Sequence, residues 1–414
     1  MPKLALQDLD SAKGGIEVRG RRVLVRVDFN VPLDAAGNIT DDSRIRAALP
    51  TLEHLLERGA RVVLCSHLGR PKGKADPLLS LRSVAQKLSD LLLRPVAFVD
   101  DCVGEKVEKT VSILQNGDCL LLENLRFHPE EEANDPVFAG RLASYADLFV
   151  NDAFGAAHRA HASTEGVTRW VPQSVAGFLM QKELKFLGEE LSHPRRPFVA
   201  ILGGAKVSDK IKVIESLLDK ADTLLIGGAM AYTFLKCRNI AVGDSLIEED
   251  RLDITRKTLE TASARGKNLC LPVDHVTARR VETDRLDKKG RKMVEFRDAV
   301  NTANSSIEKG CCGVDIGSQT VKTYQEQISR AKTIFWNGPM GIFENKDFAK
   351  GTFEIARAVA ESGARSIVGG GDCIKAIHAS GFADKITFLS TGGGASLEFL
   401  EGKTLPGVAA LTDK

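Results

Sequence analysis

FVAILGGAKVSDKI, residues 198–211, carries several structural signals in one short stretch. Phe198 to Leu202 are continuously apolar, which reads as a strand covered on both faces, because a strand with one wet face would alternate. Gly203 and Gly204 end the run abruptly. Ser208 and Asp209 then offer a helix cap, and Ile211, Ile214, Leu217 and Leu218 recur at helical spacing. A buried strand, a glycine turn and an amphipathic helix in that order are half of a βαβ unit.

The same grammar recurs on both sides of it. VLVRVDFN (23–30), VVLCSHLG (62–69), CLLLENLRF (119–127) and LFVNDAFG (148–155) precede it. TLLIGGAM (223–230), NLCLPVDH (268–275), TIFWNGPMG (333–341), SIVGGGD (366–372) and ITFLSTGGG (386–394) follow. Amphipathic stretches lie between, such as Leu52, Leu55 and Leu56 after Pro50, which is expected to open a helix. Strand and helix alternate throughout, so the fold class is α/β with parallel sheets. This many strands divide better into two sheets than one. The best boundary is MQKELKFLGEELSHPRRP (180–197), a charged helical stretch ending in two prolines. The charged patch at 283–292, between the strand-like HVTARRVE and MVEFRDA, is expected to be a solvated hairpin tip.

Composition narrows the function classes. The 414 residues suggest two or three domains. Lys and Arg total 57 against 55 acidic residues, a balance that gives no electrostatic footprint for nucleic acid or an anionic membrane. No apolar run approaches the ~20 residues that span a bilayer. The first twenty residues carry Asp8, Asp10 and Glu17 without an apolar core, so no signal or transit peptide is expected. The eight cysteines form no C-x-x-C pair and several end apolar runs, which reads as reduced, buried thiols in a cytoplasmic protein.

Ligands of open parallel sheets bind beyond the carboxyl ends of the strands. In the first half those ends offer Asp28, Asn30, His67, Arg70, Arg126 and Arg159, with Arg44 in the first turn of the next helix. Guanidinium groups match carboxylate and phosphate oxygens two at a time, so their convergence suits a small polyanion. His67, His158 and His161 lack the helical spacing of a metal site. In the second half the ends are glycine-rich: GGAKVSDK (203–210), GGGD (369–372) and TGGGAS (391–396). Such turns let backbone N–H groups approach a phosphate. Lys206 and Lys210 stand four apart and would share a face of any helix that included both. Asp372 is a candidate Mg2+ contact. No P-loop and no complete G-x-G-x-x-G occurs. Phosphoryl transfer between a small acid and a nucleotide is the natural inference.

RVDFNVPLD (26–34), SHLGRPKGK (66–74), LLENLRFHPEEE (121–132), NDAFGAAHRAHAST (151–164), GGAKVSDKI (203–211), WNGPMGIFE (336–344), GGGD (369–372) and STGGGASLEFLEGKTLPGV (390–408) resemble the motifs of the phosphoglycerate kinase family, in its order and over nearly the whole chain. The resemblance implies two Rossmann-like lobes, each a parallel sheet flanked by helices, joined by a hinge helix. It implies a phosphoglycerate-binding domain at 1–180, a hinge at 181–197, a nucleotide-binding domain at 198–399 and a tail at 400–414 returning to the first lobe. The implied reaction is reversible transfer of the acyl phosphate of 1,3-bisphosphoglycerate to Mg-ADP, giving 3-phosphoglycerate and Mg-ATP, by a cytoplasmic monomer. By resemblance Asp28, Asn30, Arg44, His67, Arg70, Arg126 and Arg159 form the acid site. Lys206, Lys210, Gly313, Asn337, Pro339, Glu344, Gly370, Gly371, Asp372 and Cys373 form the nucleotide site, with Asp372 the Mg2+ ligand. Arg44 and Lys206, with backbone N–H groups around Gly371 and Gly394, are the candidate catalytic groups.

Two positions depart from the family pattern. Cys373 stands where Ser or Thr is usual, which weakens any side-chain contact with phosphate, and its alkylation is expected to slow when nucleotide binds. Ser318 stands where Pro is usual, from which a looser helix start is expected. Three rivals remain at this point: an ATP-dependent ligase, for which no acceptor motif is visible; an inactive anion-binding scaffold, against which Arg44, Lys206 and Asp372 are all retained; and a nicotinamide dehydrogenase, which lacks its fingerprint.

Overall fold

A run buried on both faces can satisfy its backbone N–H and C=O groups only through neighbouring strands. In the computed structural model, which describes residues 3–9, 17–286, 290 and 292–414, every one of the apolar runs contains a strand. The chain divides into two units, Met1–Lys185 with Lys403–Lys414, and Phe186–Gly402.

Unit 1 holds six strands: β1 (Arg22–Arg26), β2 (Arg61–Cys65), β3 (Ala97–Val99), β4 (Cys119–Leu122), β5 (Leu148–Asn151) and β6 (Ser174–Ala176). They form one parallel sheet in the order β3-β4-β2-β1-β5-β6. Val25 of β1 lies between Leu64 and Val150, and this centre packs on Leu52 and Leu55 of the helix Ser43–Glu57 and on Val84 and Leu88 of the helix Arg82–Leu92. That first helix starts at Ser43, not at Pro50. Pro50 lies inside it on the exposed face, while Ile45, Ala48, Leu52 and Leu55 keep the buried stripe intact. A proline there leaves a carbonyl without its helical partner on the wet side, where water can reach it.

Unit 2 holds β7 (Phe198–Leu202), β8 (Thr223–Ile226), β9 (Asn268–Cys270), β10 (His275–Leu286), β11 (Lys292–Asn301), β12 (Cys312–Ile316), β13 (Thr333–Asn337), β14 (Arg365–Gly369) and β15 (Phe388–Leu389). Six of them form a second parallel sheet, β15-β14-β13-β7-β8-β9. Ile201, Trp336 and Val368 pack there against Tyr324 and Ile328 from the helix Ser318–Arg330 and Ile355 and Val359 from the helix Lys350–Glu361. The expected hairpin is present as β10 and β11, paired antiparallel out to Leu286 and Lys292, and β12 completes a three-stranded sheet. Residues 287–289 and 291 of its expected tip lie outside the described residues.

Two local expectations give way to carboxylates from distant segments. Ser208 does not cap the helix that follows. Its N–H and hydroxyl donate to Glu248 at 2.9 and 2.6 Å, and the helix begins only at Ile211. The helix at Ser318 is not loose at its start, because Asp274 accepts from the N–H groups of Gln319 and Thr320 at 2.9 and 2.7 Å.

Residues 178–192 run as helix, with a π-helical turn at Leu184–Glu189, and the division between the units falls inside that turn. The last residues pack on unit 1: Leu4 N–H donates to Thr412, Thr412 N–H to Ser174 and Gly407 N–H to Ala157, at 2.8–2.9 Å. Leu405 and Leu411 are buried there. Among the described residues no helix is long and apolar enough to cross a membrane.

Replacing Leu411 with Ala, or Leu405 with Ala, is expected to lower unfolding free energy by about 2–4 kcal/mol, the scale of a truncated core leucine. Urea unfolding followed by circular dichroism measures it, and midpoints unchanged from wild type would contradict this packing.

Candidate active site

Unit 1 delivers its polar side chains to one edge. The strand order sets the turns after β4, β2, β1 and β5 side by side, carrying Arg126, His67 with Arg70, Asp28 with Asn30, and Arg159. Cross-links between turns fix them. Asn30 Oδ1 accepts from Gly69 N–H at 2.8 Å, and Ser66 Oγ from Phe29 N–H at 2.9 Å. Asn124 is fully buried and donates to the carbonyls of Leu68 and Leu79, while its Oδ1 accepts from Leu68 and Arg126 N–H. Arg126, itself buried, donates to Gly69 O at 2.8 Å and pairs with Glu132 at 3.1 Å. Arg44 reaches back from the helix Ser43–Glu57 to Asp28 at 2.9 Å.

His67 sits in the middle of these charges. Burial first, and then the guanidinium groups of Arg26, Arg126, Arg44 and Arg159, hold its imidazole well below the ordinary histidine range, so it is neutral at pH 7. Arg159 rests its Nε on His158 Nε2 at 3.1 Å and has no carboxylate within ion-pair distance among the described residues. Arg70, one residue past Gly69, is exposed. The basin therefore holds more positive than negative charge, in a place where burial pushes the Arg126 pKa down. Such a site is stabilised by an anion.

In unit 2 the turns after β15, β14, β13 and β7 adjoin in the same way: TGGG, GGGD, NGPMG and GGAK. The chain leaves β7 towards β8 on one side and reaches β13 on the other, which makes their crevice the topological switch point. Lys210 bonds Asn337 across it. Burial lowers the Lys210 pKa, while the carboxylates of Asp209 and Asp372 pull it back up. Asn337 Nδ2 is buried without a hydrogen-bond partner. It faces Gly370, where a Cβ would lie only 3.1 Å from it. Gly370 has φ +91 and precedes the ten-residue helix Gly371–Ser380, so its backbone suits glycine and the helix N–H groups open beside that orphaned amide. Lys206 is exposed on the turn after β7, and the helix includes neither it nor Lys210.

The remaining nucleotide-site candidates form a second group. Gly204 N–H donates to Pro339 O at 3.0 Å, and Ile342 N–H to Val314 O at 2.9 Å, tying the 337–344 segment to β7 and β12. Gly313 and Glu344 flank that second bond. A Cβ on Gly313 would collide with the Tyr232 hydroxyl, a contact no sequence spacing indicated. Gly394 is exposed at the start of a seven-residue helix, beside the Ser390–Ser396 hydroxyl pair.

Cys373 departs from expectation. Its thiol points into the apolar core with Trp336, Met340 and Ile377, fully buried, and burial pushes it up to about 12. Only its backbone N–H, in the first turn of Gly371–Ser380, is available to a ligand. His67, His158 and His161 do not gather as metal ligands. Among the described residues, the groups that do approach are Asp101, Cys102 and His128, within 4.8 Å of one another, but burial holds that thiol protonated and the imidazole already bonds Asp101 at 2.8 Å. All eight cysteines are free.

The family model described as Phosphoglycerate kinase matches residues 14–403. Proteins named phosphoglycerate kinase from Anaeromyxobacter sp. (strain K) and Koribacter versatilis (strain Ellin345) are each 54% identical to this chain. The first covers 98% of this chain and 99% of its own length, the second all of both. The solved structure of phosphoglycerate kinase from Coxiella burnetii is similar over 99% of this chain and 98% of that one, with a TM-score of 0.83 and 39% identity.

Because its thiol is buried and protonated, Cys373 is expected to resist alkylation in the native chain with or without nucleotide, and to react only after unfolding. Iodoacetamide labelling read by peptide mass spectrometry tests this; labelling of Cys373 as fast as that of half-exposed Cys311 would contradict it.

Proposed function

The chain belongs to the phosphoglycerate kinase family, whose reaction moves the acyl phosphate of 1,3-bisphosphoglycerate reversibly to ADP, and we propose that its two strand-end edges divide that work. The observation that carries the assignment is that adjoining strand ends and the helix Ser43–Glu57 bring Arg126, Arg70, Arg159 and Arg44 to the edge that holds buried His67, with Arg159 and Arg70 making no ion pair among the described residues. The basin of unit 1 takes 3-phosphoglycerate, with Arg126, Arg159 and Arg70 on its phosphate and carboxylate, and Asn30 and Asp28 on its hydroxyl. The edge of unit 2 takes the nucleotide. Lys210, Asn337 and the N–H groups of 370–373 hold phosphates, while Gly313, Pro339 and Glu344 line the nucleoside end.

Asp372 fits a Mg2+ role. Its carboxylate is exposed beside the open helix N–H groups, and its pairing with Lys375 at 3.2 Å is a surface contact that a cation can replace. Bound there with nucleotide phosphates, Mg2+ would neutralise charge on the leaving diphosphate.

In the ATP-consuming direction a carboxylate oxygen of 3-phosphoglycerate forms the new bond to the γ-phosphorus, and the bond from phosphorus to the β-phosphate oxygen breaks. That carboxyl has a pKa of ~3.5–4 and arrives already ionised, so no general base is needed. Positioning and charge neutralisation remain. Arg44 and Lys206 are the groups proposed to meet the equatorial oxygens, aided by N–H groups at Gly371 and Gly394. Reacting atoms must come within ~3–3.5 Å, which favours hinge closure around the helix and linker at 181–197. The free cysteines fit a reducing compartment, and a cytoplasmic monomer is proposed.

Arg44→Ala and Lys206→Ala are each expected to lower kcat by at least ~10², the scale of one lost transition-state donor. A coupled assay of ADP release with 3-phosphoglycerate as sole acceptor measures it, on variants whose circular dichroism matches wild type. A folded variant with wild-type kcat would remove that residue from the role.

A further inference from the structure

His67 is held by groups that are not among the candidate site residues. Arg26, the last residue of β1, is 1% exposed although it carries a charge. Its Nη2 lies 3.1 Å from His67 Nδ1, its Nε donates to Ser163 Oγ at 2.8 Å, and its Nη1 donates to Val27 O. Ser163 in turn donates its hydroxyl to Glu131 Oε1 at 2.6 Å and its N–H to Glu131 Oε2 at 2.9 Å. Glu131 is fully buried.

Each link has a fixed direction. A guanidinium has only donors, so His67 Nδ1 must present its lone pair to Arg26. The proton of a neutral imidazole then resides on Nε2. The Ser163 hydroxyl has one proton; accepting from Arg26 and donating to Glu131, it spends that proton on the carboxylate and its lone pair on the cation. A buried guanidinium and a buried carboxyl group are thus joined through one hydroxyl. Burial raises the Glu131 pKa, and Arg26 with the two Ser163 donors pulls it back down. His161 Nδ1 stands 3.8 Å from Glu131, but burial and the neighbouring arginines lower its pKa to about 4, so Arg26 is the cation that Glu131 balances.

We propose that Glu131, Ser163 and Arg26 are positioning residues that lock His67 as the Nε2-protonated tautomer, making it a neutral hydrogen-bond donor to the anionic acid bound in the basin. This deepens the assignment of the acid to unit 1 and rests on it. A neutral donor adds no further charge to a crowded cationic site, yet still contributes a directed bond to an oxygen of the substrate. Arg26 cannot do this unaided, because an uncompensated buried guanidinium would turn towards water.

The tautomer is readable without substrate. Two-bond proton–nitrogen correlation on the full-length chain, labelled with nitrogen-15 at histidine, distinguishes protonated Nε2 from protonated Nδ1 at His67. Wild type is expected to show the Nε2-protonated pattern, Ser163→Ala a mixture of tautomers, and Ser163→Thr, which keeps the hydroxyl, the wild-type pattern. Ser163→Ala should also raise KM for 3-phosphoglycerate about 10-fold while KM for ATP stays within about twofold, the scale of one lost charge-assisted bond. If Ser163→Ala does not fold, Glu131→Gln, which keeps the shape and removes the charge, is expected to give the same pair of changes. A wild-type His67 protonated on Nδ1, or a Ser163→Ala chain with tautomer and KM both unchanged, overturns the proposal. A wild-type chain with the expected tautomer but no turnover of 3-phosphoglycerate supports the relay and overturns only the assignment of the acid.

Discussion

Positive charges gathered out of water repel one another, and most of unit 1 around His67 answers that repulsion. Two unit charges ~6 Å apart at an effective dielectric of ~20 oppose each other by about 3 kcal/mol, enough to scatter flexible side chains. Here each cation is restrained separately. Asp28 holds Arg44, Glu132 holds Arg126, and Glu131 balances Arg26 through Ser163, while Arg159 leans on a histidine nitrogen. Because these groups come from different strand ends, only a sheet whose carboxyl edges align can assemble them. The parallel order around β1 is thus a requirement of the charge arrangement as well as of the core.

Unit 2 solves a related problem with fewer charges. A triphosphate, the ligand proposed for this edge, would bring its own negative charge, and the edge offers N–H groups at the start of Gly371–Ser380, the unpartnered Asn337 Nδ2 and Lys210, whose pKa burial lowers. Space is controlled from below. Tyr232 stands under Gly313, and Asp315, its pKa raised by burial to about 7, accepts from Gly351 and Ile316 N–H to anchor the segment that carries Glu344. Fold and binding surface share the same residues there, so few of these positions are free to vary independently.

How far the sequence could be read follows from where each signal was written. Continuous apolar runs announced the strands at both sheet centres, but Ala97–Val99 and Ser174–Ala176 are three-residue edge strands with too little apolar length to register. Pro50 looked like a helix start because local preference cannot reveal which face is wet. Ser208 looked like a cap because Glu248, forty residues on, was not visible as a competitor. Strand-end arginines stood out as polar residues closing apolar runs. Arg26 closes such a run too, but its partners Ser163 and Glu131 come from remote segments, and only the fold joins them. Cys373 was expected to be shielded from alkylation by bound nucleotide because its motif lies at the nucleotide edge; burial of its side chain in the core already shields it.

The division of labour between the two edges is most directly tested on the intact chain by following arginine Nε and backbone amide resonances during titration with one ligand at a time. Addition of 3-phosphoglycerate alone should move the Nε signals of Arg44, Arg126 and Arg159 and leave the amides of Gly370 to Cys373 in place. Mg-ADP alone should do the reverse. Both ligands shifting the same set of resonances, or the acid leaving all three arginines unmoved, would contradict it.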